Sequence, residues 1–233
     1  MPTSFPSEKF QFKSSHFFAG LTKEEQAILM AHSVTHVYKK GEIIFREGSI
    51  PTGIYFLKEG KVKKYKTTNE GGEQIFYICN KGELMGYHAM FSEEHYPDSA
   101  ATLEKSEITF FPKEDFLVVL NSSSELSKWL LKLLSHEFSV FINNITSLAK
   151  KSVRERLALG LLILNEKYKV NGNENAPSEI NLSRGDLASM IGTAKETLVR
   201  LLHDFKDEEL IETNGRMIKI LDKKGLVKVA NFY

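Results

Sequence analysis

At 233 residues, with 42% hydrophobic and 26% charged residues, the chain is large enough to bury one or two cores and too apolar to be disordered. A formal net charge of +1 excludes a uniformly basic nucleic-acid-coating protein, so any charge directed at DNA has to be placed locally. The single cysteine, Cys79, excludes an intrachain disulfide and an iron–sulfur cluster held by about four thiolates of one chain.

No apolar run approaches the roughly 18 residues of a membrane span. The N-terminal MPTSFPSEKF lacks the charged-then-apolar order of a secretory signal. A cytoplasmic protein with no membrane partner is expected. The first ordered element is a short helix opening at Leu21–Glu25, where Thr22 and Glu25 stand at capping-box spacing. Residues 34–120 then read as short strands broken by glycines, among them GIYFLKEGKVKKYKTT and EQIFYICNKGELMG. Apolar and polar residues alternate and turns recur about every 8–12 residues, which predicts a sandwich or barrel. Asn69-Glu70-Gly71-Gly72 is a hairpin turn within it. Cys79, inside the apolar IFYIC, reads as a small buried hydrophobe rather than a redox sensor.

A helix is predicted over 121–150. Leu131, Leu134, Phe138, Phe141, Ile145 and Leu148 recur at alternating spacings of three and four, the pattern of a helix–helix seam. The stripe packs either on the chain's own β-domain or, the reading its regularity favours, on a second copy. Residues 151–233 read as short helices and a hairpin. Val153–Tyr168 is amphipathic, and Asn171–Pro177 is a polar loop. Ser183 with Asp186 starts one helix, and Thr193 with Glu196 starts the next, with Gly192 between them. Asn214-Gly215 carries the signal of a type I′ hairpin. Helix, glycine turn, helix and hairpin together predict a winged helix-turn-helix.

In that motif the second helix enters the major groove N-terminus first. Lys195, Glu196 and Arg200 fall on its first turns. Arg can bond guanine O6 and N7 together, and Glu can accept from cytosine N4. Ser183, Arg184, Thr193, Thr197 and, in the wing, Arg216 are expected at the sugar–phosphate backbone. Taken alone, the same residues also fit a surface helix, with Glu196 closing a capping box and pairing with Arg200 four residues on.

The run from Arg184 to Arg200 and the glycine frame Gly41–Gly48, continuing to Tyr55, Gly60 and Val62, resemble the cyclic-AMP receptor / fumarate–nitrate regulator (CRP/FNR) family of bacterial transcription factors, and the resemblance extends from about Phe17 to Leu221. It implies an α+β fold: an N-terminal double-stranded β-helix (jelly roll) of the cyclic-nucleotide-binding type over 1–120, a dimerisation helix over 121–150, and a winged helix-turn-helix over 151–233. It implies base reading by Glu196 and Arg200, with Lys195 on a base or a phosphate. It also implies a homodimer on a pseudo-palindromic double-stranded operator, with RNA polymerase as a further partner and a small-molecule effector. No catalytic residue and no metal site are expected.

The resemblance places an effector pocket at Gly82, Glu83, Leu84, Gly86, Tyr87, His88, Asp98, Ser99 and Phe141, but the cyclic-AMP ligands are missing from it. Tyr87 stands at the ribose-glutamate position, Asp98 where the phosphate arginine belongs, and Phe141 and Ile142 where polar residues meet adenine. A carboxylate repels a phosphate, so cyclic AMP is not expected. His36, His88 and His95, with Met85 and Met90, are of types that ligate haem, without a motif that groups them. The alternative to a DNA reader is a small-molecule-binding or protein-interaction module whose helix-turn-helix reads no DNA. An enzyme is not expected, since no His-x-His pair of a jelly-roll metal site occurs.

Overall fold

The computed structural model describes residues 5–12, 17–169 and 179–231. The chain divides into two compact units, one of Phe12–Ser139 and one of Met1–Gln11 with Val140–Tyr233.

In the first unit, helix α1 (Lys23–Ala31) opens with the expected capping box: Thr22 Oγ1 accepts from the Glu25 amide and Glu25 accepts from the Thr22 amide. The strands follow as β1 (Val34–Tyr38), β2 (Ile43–Phe45), β3 (Gly53–Glu59), β4 (Lys61–Thr67), β5 (Glu73–Asn80), β6 (Leu84–Met85), β7 (Ser99–Thr102) and β8 (Ser106–Pro112), with helix α2 (Tyr87–Ser92) between β6 and β7. They form two four-stranded antiparallel sheets, ordered β1-β8-β3-β6 and β2-β7-β4-β5, the jelly-roll arrangement. Gly60 makes the β3–β4 turn with φ +97°, and a Cβ there would stand 2.2 Å from Ser106 Oγ, so both the angle and the space require glycine.

The alternation predicts strand through about residue 120, but the sheet ends at Pro112. Helix α3 (Lys113–Ser122) begins there, with Pro112 as its N-cap residue and Glu114 and Asp115 in the first turn. Acidic residues favour a helix N-terminus, and that local signal overrides the strand pattern. Phe17, Phe111 and Phe116 form a ring cluster with Trp129, the chain's one tryptophan, at centroid distances of 5.8–6.2 Å.

Helix α4 (Ser124–Lys150) begins in the first unit and ends in the second. Leu126, Leu130, Leu133, Glu137 and Val140 are buried, at spacings of four, three, four and three. The opposite face is open: Leu131, Phe138 and Ile145, seven apart, are 67%, 66% and 65% exposed.

The second unit continues through α5 (Val153–Lys167), β9 (Glu179–Asn181), α6 (Arg184–Ile191), α7 (Lys195–Asp207), β10 (Ile211–Asn214), β11 (Met217–Ile220) and α8 (Lys223–Ala230). The polar loop Asn171–Pro177 lies outside the described residues. Ser152 and Glu155 cap α5 reciprocally. The hairpin β10–β11 forms, and β11 also pairs with β9, which the sequence pattern did not show. Its turn residues are Gly215 and Arg216, because Asn214 pairs with Met217. Only Gly215 has a positive φ, +56°, whereas a type I′ turn needs one at both central residues. The turn therefore sits one residue later than Asn-Gly suggests, with glycine at its first central position.

Inside the jelly roll lies a buried set of charges. Lys64, on β4, is in phase with the fully buried Val62 and points inward with it. Its Nζ lies 3.2 Å from Asp98 Oδ2, and both side chains are almost wholly buried. His88 Nε2, on α2, lies 3.4 Å from Asp98 Oδ1. Burial opposes the Lys64 ammonium, but the facing Asp98, with Cys79 and Glu137, carries it above the ordinary lysine value. Burial likewise opposes the Asp98 carboxylate, and Lys64 and His88 still hold it below the ordinary value. Burial and Lys64 keep His88 below its ordinary value against the pull of Asp98.

A buried ion pair that loses one member leaves an unpaired charge in a low-dielectric interior. Asp98→Asn is therefore expected to destabilise this unit by about 3–5 kcal/mol, and Lys64→Met combined with Asp98→Leu to recover most of the loss. Urea unfolding followed by Trp129 fluorescence measures both. Acid acts in the same direction through two groups. The unfolded chain takes up a proton on His88 below pH 6.5 that the native state refuses, and on Asp98 near 3.8 in the same way. Stability is expected to fall from about pH 6.5 downward, and a urea midpoint constant between pH 7 and pH 4 would contradict the geometry.

Candidate nucleic-acid interface

The second unit presents a helix-turn-helix built by ordinary end effects. Ser183 caps α6, its Oγ accepting from the Asp186 amide at 3.0 Å. The helix ends at Gly192, whose φ of +70° is left-handed, a conformation that favours glycine. Ala188 O then accepts from both the Gly192 amide at 2.9 Å and the Thr193 amide at 3.1 Å.

That closure decides where α7 starts. Thr193, expected as its N-cap, has its backbone committed to the end of α6, and the N-cap is Ala194, with no side-chain hydrogen bond. Glu196 is the second helical residue rather than the third, so the expected Thr193–Glu196 capping box does not form. Leu198, Leu202 and Phe205 bury one face of α7 at helical spacing. Lys195, Glu196, Val199 and Arg200 occupy the exposed face. Among the described residues, neither Lys195, Glu196 nor Arg200 has a hydrogen-bond or ion-pair partner, so the four-apart Glu196–Arg200 pair does not form either. Three charged groups on the first two turns are free to meet a ligand.

The flanking residues are placed differently from one another. Thr193 and Thr197 are half-buried beside the turn, and Arg216 is exposed at the tip of the wing. Ser183 is occupied by its cap. Arg184 donates from Nη2 to Gly215 O at 2.9 Å and from Nη1 to Arg216 O at 3.3 Å, which ties the wing to the start of α6.

The residues expected around an effector lie in the first unit, apart from Phe141, which is half-buried on α4 in the second. Gly82 and Gly86 are left-handed turn residues, with φ +88° and +85°. Glu83, Leu84 and Tyr87 are buried, Tyr87 with its hydroxyl pushed well up by burial and Glu137. Ser99 Oγ accepts from the Glu47 amide at 2.9 Å. His88 and Asp98 belong to the charge set around Lys64, the member that the sequence reading missed. The signal for it was Lys64's phase with Val62.

His36 and His95 are exposed, whereas Met85, Met90 and Cys79 are buried. Among the described residues, no group of three or more His, Cys, Asp or Glu side chains is placed to hold a metal ion, and no helix is long and apolar enough to cross a membrane.

Comparison with known proteins agrees with this division. Residues 35–123 match the family model of the cyclic nucleotide-binding domain, and residues 155–229 that of the Crp-like helix-turn-helix domain. The chain is 30% identical over 192 residues to the fumarate and nitrate reduction regulatory protein of Vibrio cholerae, covering 82% of this chain and 76% of that one. It is also 30% identical to the transcriptional activator protein Anr of Pseudomonas protegens, over 82% of this chain and 78% of the relative. Among solved structures it resembles a CRP/FNR-family transcriptional regulator of Thermus thermophilus, with a TM-score of 0.70 and 25% identity over 84% of this chain and 98% of that one. A CRP/FNR-family regulator of Eubacterium rectale shares the fold, with a TM-score of 0.73 and 21% identity over 92% and 97% of the two chains. The two family models follow one another along the chain, as the jelly roll and the helix-turn-helix do, and the chain belongs to the CRP/FNR family of DNA-binding transcription regulators.

Proposed function

We propose that the protein is a homodimeric, sequence-specific regulator that reads a pseudo-palindromic operator with Glu196, Arg200 and Lys195. The observation that carries this reading is the freedom of those three side chains on the exposed face of α7. A solvated surface helix pairs polar side chains at four-residue spacing, as the His203 ring and the Asp207 carboxylate do further along α7 at 2.9 Å. Arg200 supplies the two-pronged donor suited to guanine, and Glu196 an acceptor suited to cytosine N4. Thr193, Thr197 and Arg216 serve the phosphates, and Ser183 and Arg184 support that backbone contact from the start of α6, Ser183 by capping the helix and Arg184 by setting the wing. The protein acts where the chromosome is, in the cytoplasm, with RNA polymerase as its downstream partner.

The second copy is assigned to the open face of α4. Leu131, Phe138 and Ile145 repeat every seven residues, with Leu134, Phe141 and Leu148 in the adjoining positions, which is the pattern of a two-helix seam. The effector is proposed to be something other than a cyclic nucleotide. A cyclic phosphate brought to Asp98 would face a buried carboxylate and compete for a Lys64 that is already paired.

Selection from a random duplex library at about physiological salt tests the reading directly, and a two-fold symmetric site is the expected product. Arg200→Ala is expected to lose about 1–3 kcal/mol on that site and to relax the preference at one base pair per half-site. Arg216→Ala should weaken all sequences alike and flatten the salt dependence by about one phosphate per subunit. Binding without any enriched sequence would refute base reading.

Phe138→Glu places a charge in the middle of the apolar stripe, and its expected effect is a monomer in sedimentation at micromolar concentration where the parent is a dimer. Cyclic AMP at millimolar concentration is expected to leave the thermal midpoint unchanged. A ligand present at about 100 times its dissociation constant adds roughly 2.7 kcal/mol, so a rise of several degrees would overturn the exclusion.

A further inference from the structure

We propose that Arg156 is a positioning residue: its guanidinium joins the end of α4 to the turn of the helix-turn-helix and so fixes the angle at which the recognition helix is offered to DNA. The inference rests on the DNA-reading role of α7.

Four hydrogen bonds carry it. Arg156 Nε donates to Ile191 O at 2.8 Å, and Nη2 donates to Gly192 O at 3.0 Å. From the other side of the fork, Nη1 donates to Lys151 O at 3.0 Å and to Leu148 O at 3.4 Å. The two pairs of acceptors are the leftover carbonyls of two helix C-termini, α4 and α6. Each such end carries carbonyls without an intrahelical partner and a partial negative charge. One guanidinium, with five N–H donors in a rigid plane, answers both ends at once.

The same face of α5 holds a second contact with the turn. Gly160, one helical turn beyond Arg156, faces the buried Ile191 side chain so closely that a Cβ would stand 2.4 Å from Ile191 Cδ1. Arg156 grips the Ile191 carbonyl while Gly160 admits its side chain. The turn that starts α7 is thus held twice at Ile191, by residues spaced four apart on one face of α5.

The consequence is directional. Between Gly192 and the first residue of α7 there are only Thr193 and Ala194. A rotation of α4 at Leu148–Lys151 therefore has a direct hydrogen-bonded route through Arg156 to the turn that precedes Lys195, Glu196 and Arg200. Arg156 needs no contact with DNA to alter what DNA is bound.

The test uses the full-length chain and the duplex selected above. Arg156→Gln is expected to raise the dissociation constant for the selected site about tenfold, the scale of losing charge-assisted hydrogen bonds. It should leave binding to unrelated duplex, and the slope of affinity against salt, unchanged. Arg156→Lys keeps the charge and loses the fork, and it should fail to restore the preference. Without DNA, amide exchange at Gly192 and Thr193, which close on Ala188 O, should quicken about tenfold in Arg156→Gln.

An unchanged preference and unchanged exchange would overturn the proposal. So would a salt slope reduced by about one phosphate, which would make Arg156 a direct DNA ligand. If Arg156→Gln does not fold, Gly160→Ala displaces the same turn through Ile191 and should lower the preference by itself, and unaltered selectivity in that variant would count against the joint. If the parent selects no sequence, the DNA-reading role fails, and the exchange measurement alone still decides whether Arg156 holds the turn.

Discussion

Two helix ends meet near Ile191 and Gly192, and the carbonyls left over there must be satisfied without borrowing side chains from α7. The functional face depends on that constraint being met elsewhere. Gly192 in the left-handed region folds the chain back onto Ala188 O, and Arg156 takes the Ile191 and Gly192 carbonyls from below. Because the turn is closed by backbone and by α5, α7 begins with an N-cap residue, Ala194, that has no capping side chain. A helix start without a side-chain cap gives up about 1 kcal/mol of local stability. In return Glu196 keeps its carboxylate free and the first turn keeps its amides available for phosphate. The face is least stabilised locally where the proposed DNA contact falls.

The jelly roll shows the opposite arrangement. Its interior charges face one another, with Asp98 between Lys64 and His88 and Glu137 close to Lys64 and Tyr87. The set rests on three elements, β4, the approach to β7 and α2, and Glu137 adds the middle of α4. Buried ionised groups of this kind contribute little net stability, because desolvation offsets most of their attraction. Their effect is on geometry: a slip of any contributing element would strand a charge in an apolar interior. The cyclic nucleotide-binding fold of residues 35–123 here encloses this charge set, and a domain's shape by itself does not name its ligand.

Much of the architecture was legible in the sequence because it follows from local rules. Period-2 alternation with glycine turns specifies strands, the capping box at Thr22 specifies α1, and a three-four spacing specifies α4. Ser183–Asp186, Gly192 and the apolar spacing of α7 specify a helix-turn-helix. The departures arose from a second element in some places and from a local signal or a short element in others. Thr193 has good capping chemistry, but its amide was already committed to Ala188 O. Pro112 and the acidic pair after it turned an apparent strand into α3. The wing turn moved one residue because the pairing of Asn214 with Met217 fixed the register, and β9 was invisible because a three-residue strand has no period of its own.

The sequence by itself determined the chemical type of side chain offered at each position of α7 and of the β-domain interior. Glu196 carries acceptors and Arg200 donors of the kind that bases can meet, and Asp98 lacks the donors of an arginine. Only the tertiary structure decided what those groups are doing in the folded chain. It left Lys195, Glu196 and Arg200 without partners, bound Arg184 to the wing, turned Lys64 inward to meet Asp98, and brought Arg156 to two helix ends that are 40 residues apart along the chain. The reason is that a partner is a relation between distant segments. Local sequence sets what a side chain can bond, and packing alone sets what stands within about 3 Å of it.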